Sequence, residues 1–300
     1  MSFIELMKTI FLTPDEPRLR AGWRLLAQGL LTIAFTFVMA FPMMILAFMF
    51  PESQELSLVL LGGIPIVLAV LAARKWIDRR SIRSLGLARN KQARRDVLAG
   101  FGIALAQIAL IFVIQLGFGW ARVSGFVWQE QAPLAVLGGL GLGLGTHLAV
   151  GFYEELLSRG YQLQNLEEGT NTFWAVAITS VAFGAAHLLN PNASWTSMLG
   201  ISLAGFYLAY GYLRTRQLWL PIGMHFGWNF FLGPVFGFPV SGLDFFHLIQ
   251  VEVTGPDLAT GGAFGPEAGL VVIPGLALGA LLVWLYTRGR LDIYEETNEG

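Results

Sequence analysis

Cysteine is missing from all 300 residues. Its absence excludes disulfides, thiol catalysis, and zinc or iron–sulfur sites built on cysteine, while saying little about compartment. Charge is scarce too. Asp, Glu, Lys and Arg make up 13% of the chain, where a soluble domain carries about 25%. The formal net charge is −1, so there is no basic field of the kind that attracts nucleic acid. No low-complexity segment and no internal repeat stands out. What fills the chain is apolar: 55% hydrophobic residues and a mean hydropathy of +0.60. That composition belongs to a protein that crosses a membrane several times.

A span needs about 20 apolar residues. Runs that fit lie at about 23–49, 56–76, 97–120, 132–152, 172–189, 197–213, 218–236 and 267–286. They predict an all-α, polytopic transmembrane helical bundle of about eight spans, with the fourth continuing as a helix to about Glu168. The first run is too long for the apolar core of a cleavable signal. The expected organisation is an N-terminal cytoplasmic or interfacial segment over 1–22, a single transmembrane domain over 23–286 and a cytoplasmic tail over 287–300. Residues 2–12, "SFIELMKTIFL", read as a short interfacial helix. Glycines repeat at four-residue spacing, Gly139/Gly143 and Gly141/Gly145 in the fourth span and Gly275/Gly279 in the last. That pattern lets helix backbones touch.

Basic residues set the orientation. They gather between Arg74 and Arg95, in the N-terminal segment, at Arg214 and Arg216, and at Arg288 and Arg290. With eight spans all of these fall on one side, and only Arg122 lies in an opposite loop. The positive-inside rule then puts both termini in the cytoplasm of a plasma-membrane protein. The basic loop 77–96 reads as retention charge and anionic-lipid contact. The outer loop at 237–266 is either an interfacial lid or simple packing.

The exceptions to this apolar pattern carry the chemistry. "GFYEELLSRG" (151–160) holds three charges within six residues, each costing about 2.5–3.5 kcal/mol at a bilayer centre on insertion scales. Glu155 and Arg159 are one helical turn apart in the favourable order and can neutralise each other. Glu154 is rotated by about 100°, shares that partner less easily, and is left for chemistry. A carboxylate in a low-dielectric cavity is well suited to act as a general base. "FGAAHLLNPN" places Phe183 and His187 at i, i+4, with Pro191 ending the helix. "PIGMHFGWN" places His225 and Asn229 at i, i+4, with Pro221 near the helix start. A single buried histidine is commonly a packing residue. Polar sets on three successive spans predict convergence on a cavity instead.

"EELLSRG", "FGAAH" and "HFGWN" resemble, in order, the three motifs of the CAAX prenyl protease and bacteriocin-processing (CPBP, Abi) family of intramembrane proteases: Glu-Glu-x-x-x-Arg, Phe-x-x-x-His and His-x-x-x-Asn. The resemblance covers about residues 132–233. Ser158 departs from it, since relatives usually have an aromatic residue before the arginine; the change removes no chemical group. The resemblance implies an intramembrane endopeptidase in which Glu154 activates water. It implies that His187 supports the water or the proton transfers, and that His225 and Asn229 stabilise the oxyanion. It implies a peptide or membrane-protein substrate, prenylated C-terminal peptides being one option. No cofactor is required on this reading.

A metal version uses the same residues, with Glu154, His187 and His225 as a His₂Glu zinc set. The chain has no H-E-x-x-H, which favours the glutamate account. Depth adds a condition. Glu154 and His187 each lie about 20 Å from the cytoplasmic ends of their spans, but His225 lies only about 10 Å from residue 218. For the three to meet, "LWLPIG" has to enter the membrane as non-helical backbone. His147, about 10 Å further out than Glu154, reads as structural or cavity-lining. His247 reads as solvated in the outer loop. Two rival functions stand: a non-catalytic membrane scaffold or bacteriocin-immunity protein, which the same resemblance allows, and a transporter whose midplane acids carry protons. No two related halves support the transporter.

Overall fold

Ser2 opens the first helix in the computed structural model, which describes residues 2–14, 16, 18–49, 54–244 and 246–289. Its hydroxyl accepts from the Glu5 N–H at 3.2 Å, and the Glu5 carboxylate accepts from the Ser2 N–H at 2.8 Å. This reciprocal cap fixes where the helix begins. In chain order the helices are α1 (Phe3–Phe11), α2 (Ala21–Met49), α3 (Gln54–Ala72), α4 (Lys91–Gly117), α5 (Pro133–Glu155), α6 (Leu163–Gly169), α7 (Thr172–Ala186), α8 (Trp195–Thr215), α9 (Trp219–Phe230), the short α10 (Asp257–Thr260) and α11 (Val272–Thr287). Two strands, β1 (Ala121–Phe126) and β2 (Ile249–Val253), pair antiparallel.

The all-α membrane bundle read from the sequence holds, and each of the eight expected spans contains a helix. Among the described residues, four helical runs are long and apolar enough to cross a membrane: Ala21–Met49, Lys91–Gly117, Pro133–Gly169 and Thr172–Leu189. Val272–Thr287 is apolar but shorter. Residues 290–300 of the expected tail lie outside the described residues. The amphipathic N-terminal helix is present as α1, with Phe3, Leu6, Met7 and Ile10 exposed at i, i+3, i+4 and i+7.

The chain divides into two compact units, residues 1–88 with 152–177, and residues 89–151 with 178–300. In the first, α2 packs on α3 and on α6. Ion pairs stitch its polar end. Asp78 accepts from Arg74 Nη1 at 3.0 Å and from the Tyr161 hydroxyl at 3.1 Å. Glu168 takes Arg24 at 2.9 Å, Arg18 at 3.0 Å, and Arg80. Arg24 and Arg74 are each 1% exposed. These two arginines are therefore structural ions as well as part of the basic set from which the orientation is read.

In the second unit α9 lies directly against α4. A Cβ at Gly100 would come within 2.6 Å of the Met224 amide nitrogen, and one at Gly227 within 3.0 Å of Phe101 Cα. Only glycine permits so close an approach, so α9 is buried along Leu220–Asn229. α11 packs on α4 and α8. Here the nearest neighbours of Gly275 and Gly279 are the side chains of Ile111, Gln107 and Tyr207 rather than the helix backbone expected, and the two glycines give room to Gln107, which donates to the Gly275 carbonyl at 3.0 Å and accepts from the Tyr207 hydroxyl at 2.9 Å. The repeated α5 glycines make no helix-backbone contact either. Gly139 and Gly143 face the side chains of Phe246 and Pro234 rather than a helix backbone, and no described atom lies within 4 Å of a Cβ at Gly141 or Gly145. The outer loop is packed structure. Phe238, Val240 and Phe264 are buried, and the β1–β2 pairing joins it to the end of α4, with Arg122 and Glu252 paired across the strands.

Candidate active site

In the first unit, the Arg159 Nη1–Glu155 Oε1 distance is 2.8 Å, and the pair is almost completely buried at 1% and 0% side-chain exposure. The i, i+4 pairing read from the sequence is therefore present. Its setting was not anticipated. Leu156–Gln162 forms π-helical turns, closed by the Leu163 N–H on the Ser158 carbonyl. Such wide turns are rare in helices and concentrate at functional sites. Glu154 sits at the edge of that change, half-buried where Glu155 is sealed. Its neighbour Tyr153 fixes the helix face: a Cβ at Gly63 of α3 would lie 2.5 Å from the Tyr153 ring. Ser158 and Arg159 are both buried, so the unusual serine leaves the arginine enclosed.

In the second unit, His187 begins a single 3-10 turn at the end of α7. Its Nδ1 lies 2.8 Å from the Phe183 carbonyl oxygen. A carbonyl can only accept, so Nδ1 carries the proton, and in the neutral ring Nε2 holds a lone pair. The Phe183 ring stands 4.8 Å from the His187 ring and 5.9 Å, edge-on, from the His225 ring. One aromatic side chain thus sets the spacing of both imidazoles. His225 and Asn229 are each 7% exposed and share a face of α9. The α9 helix starts at Trp219, so "LWLPIG" is helical from its second residue and the expected non-helical entry is not found. Only residues 216–218 are non-helical between α8 and α9.

His147 is buried, and its Nδ1 donates to the Gly143 carbonyl at 2.7 Å. His247 is not solvated as expected. It is 22% exposed and lies 2.9 Å from Asp244. Burial holds its imidazole below the ordinary histidine value, against the opposing pull of the Asp244 carboxylate. Within neither unit do three His, Cys, Asp or Glu side chains among the described residues gather as a metal set. Glu267, a carboxylate buried beside Trp228, went unread because nothing in its local sequence marks it.

Residues 133–231 match the family model of the type II CAAX prenyl endopeptidase Rce1-like proteins. The CPBP resemblance carried by the three motifs is shown over this segment, which contains Glu154, Glu155, Arg159, His187, His225 and Asn229. The chain is also 34% identical over 137 residues to the Bacillus subtilis (strain 168) protein named "Putative membrane peptidase YdiL". The match covers 45% of this chain and 53% of that one, so the chain spans about half the length of the curated relative it matches. No solved structure matches.

Proposed function

We propose that this protein is an intramembrane endopeptidase that hydrolyses peptide bonds with a water activated by Glu154. The observation that carries the reading is the Rce1-like match over a segment holding all three polar motifs. Glu154 takes a proton from water, the hydroxide adds to the scissile carbonyl, and the proton passes to the leaving amine. His225 and Asn229 supply donors to the oxyanion. His187, with Nδ1 committed to the Phe183 carbonyl, offers Nε2 to the water or to the proton in transit. Glu155 and Arg159, neutralised against each other, keep a second carboxylate out of the chemistry. The substrate is a peptide or membrane protein, with prenylated C-terminal peptides as candidates.

The zinc version rests on the same His187 hydrogen bond, because metal-bound histidines commonly give their other ring N–H to a carbonyl or carboxylate. Glu154, His187 and His225 would hold the ion, and the ion would supply Lewis acidity and an activated water. The test is purified protein in detergent with a peptide library, with and without chelator. Glutamate chemistry predicts cleavage that survives EDTA or phenanthroline, in protein carrying less than stoichiometric zinc. Activity lost to chelator and restored by zinc selects the metal version, and no cleavage in any condition selects the scaffold reading.

The protein is proposed to lie in the plasma membrane with both termini and residues 77–96 cytoplasmic. Single cysteines in this cysteine-free chain test it with an impermeant thiol reagent on intact cells. Ser124→Cys should label from outside and Arg83→Cys only after permeabilisation; the reverse pattern rejects the orientation.

A further inference from the structure

Glu267 is a carboxylate 5% exposed in an apolar environment. Among the described residues no lysine or arginine pairs with it. A buried, ionisable group without a cation is costly and is kept when it does something. Three donors solvate it: Trp228 Nε1 reaches Oε1 at 3.0 Å, and the Ser241 N–H and hydroxyl reach Oε2 at 2.6 and 2.8 Å. Each donor leads toward a motif. Trp228 lies on α9 between His225 and Asn229. The Ser241 carbonyl accepts from Asn190 Nδ2 at 2.9 Å, and the Asn190 N–H closes the 3-10 turn on the His187 carbonyl at 3.1 Å.

The backbone shows that this arrangement is held against resistance. Ser241 adopts φ +50°, a left-handed conformation unusual for a residue with a side chain. Such a conformation persists when its surroundings over-determine it. Both Ser241 donors are bound by one carboxylate, which does that. The main chain of Glu267 abuts α8 at Gly200, where a Cβ would collide with the Glu267 carbonyl oxygen.

We propose that Glu267 is a positioning residue. Its carboxylate ties the turn carrying His187 and the helix carrying His225 and Asn229 into one frame. The proposal rests on the endopeptidase reading for its catalytic consequence but not for the frame itself.

The experiment uses full-length protein in detergent and three variants, Glu267→Gln, Trp228→Phe and Ser241→Ala. Glutamine cannot accept at both ends, so one arm of the frame is lost with the charge. Displacement of catalytic groups by about 1 Å can cost on the order of 10²-fold. Glu267→Gln is therefore expected to lower kcat by about 10–100-fold with KM within about twofold. Ser241→Ala keeps the charge and the Ser241 N–H bond, and should keep kcat within about fivefold. Trp228→Phe should fall between them. Wild-type kcat in Glu267→Gln overturns the proposal. So does a loss in all three that simply follows melting temperature. Hydrogen exchange supplies an arm independent of cleavage. Peptides covering 187–193 and 223–229 should exchange faster in Glu267→Gln than in wild type, with α4 unchanged, and unchanged exchange at both overturns the frame. If the wild type cleaves no peptide, the endopeptidase reading fails while this arm still decides the frame.

Discussion

Glu154→Gln is expected to fold and insert as the wild type does and to cleave about 10²–10⁴ times more slowly, the usual contribution of a positioned general base. Glutamine keeps the size and one oxygen of the side chain and removes only the ability to take a proton. Glu154 is half-buried, and glutamine matches it in size and keeps an accepting oxygen. Little stability should therefore be lost. The measurements are the melting temperature in detergent and kcat on a peptide that the wild type cleaves. A fold-preserving Glu154→Gln with full activity would remove the first step of the mechanism and leave the scaffold function in its place.

The features legible in the sequence are those with a local period. Apolar runs gave the helices, since a span has no other way to satisfy its backbone in lipid. The four-residue spacing gave Glu155–Arg159 and the shared face of His225 and Asn229, because i and i+4 are neighbours on any helix. The π-helical turns after Glu155 altered the local winding without breaking that pair. Contacts between distant residues left no such mark. Val123 pairs with Val251 across more than a hundred residues, and Asp78 meets Tyr161. The pairing of Arg24 with Glu168 is of the same kind, its partner lying 144 residues away. Glu267 was passed over for the same reason, as its donors come from residues 228 and 241. The expected non-helical entry at "LWLPIG" followed from depth alone. A proline in the first turn of a helix breaks no hydrogen bond, so Pro221 is accommodated inside α9.

Glu155→Gln is expected to behave unlike its neighbour, losing stability as well as activity. Arg159 is 1% exposed and its Nη1 bonds Glu155 at 2.8 Å. Glutamine removes the carboxylate charge that bonds the guanidinium most closely, and removing one partner of a buried pair costs about 3–5 kcal/mol. The loss should appear as lower yield and a lower melting temperature. Adding Arg159→Met removes the stranded charge and keeps an unbranched side chain of similar reach. Replacing both members of a buried pair by groups of similar volume is often neutral. The double variant should therefore recover much of the stability lost in Glu155→Gln. Activity need not return with it, because the π-helical turns that follow Glu155 would lose the pair that anchors them. The same Arg159→Met change added to Glu154→Gln should bring no recovery and should instead destabilise, since it strands the Glu155 carboxylate. A thermal melt of the four variants beside wild type reads the whole pattern. Equal stability of Glu154→Gln and Glu155→Gln, or no rescue by the second substitution, would show that the two adjacent acids do not divide into a base and an anchor.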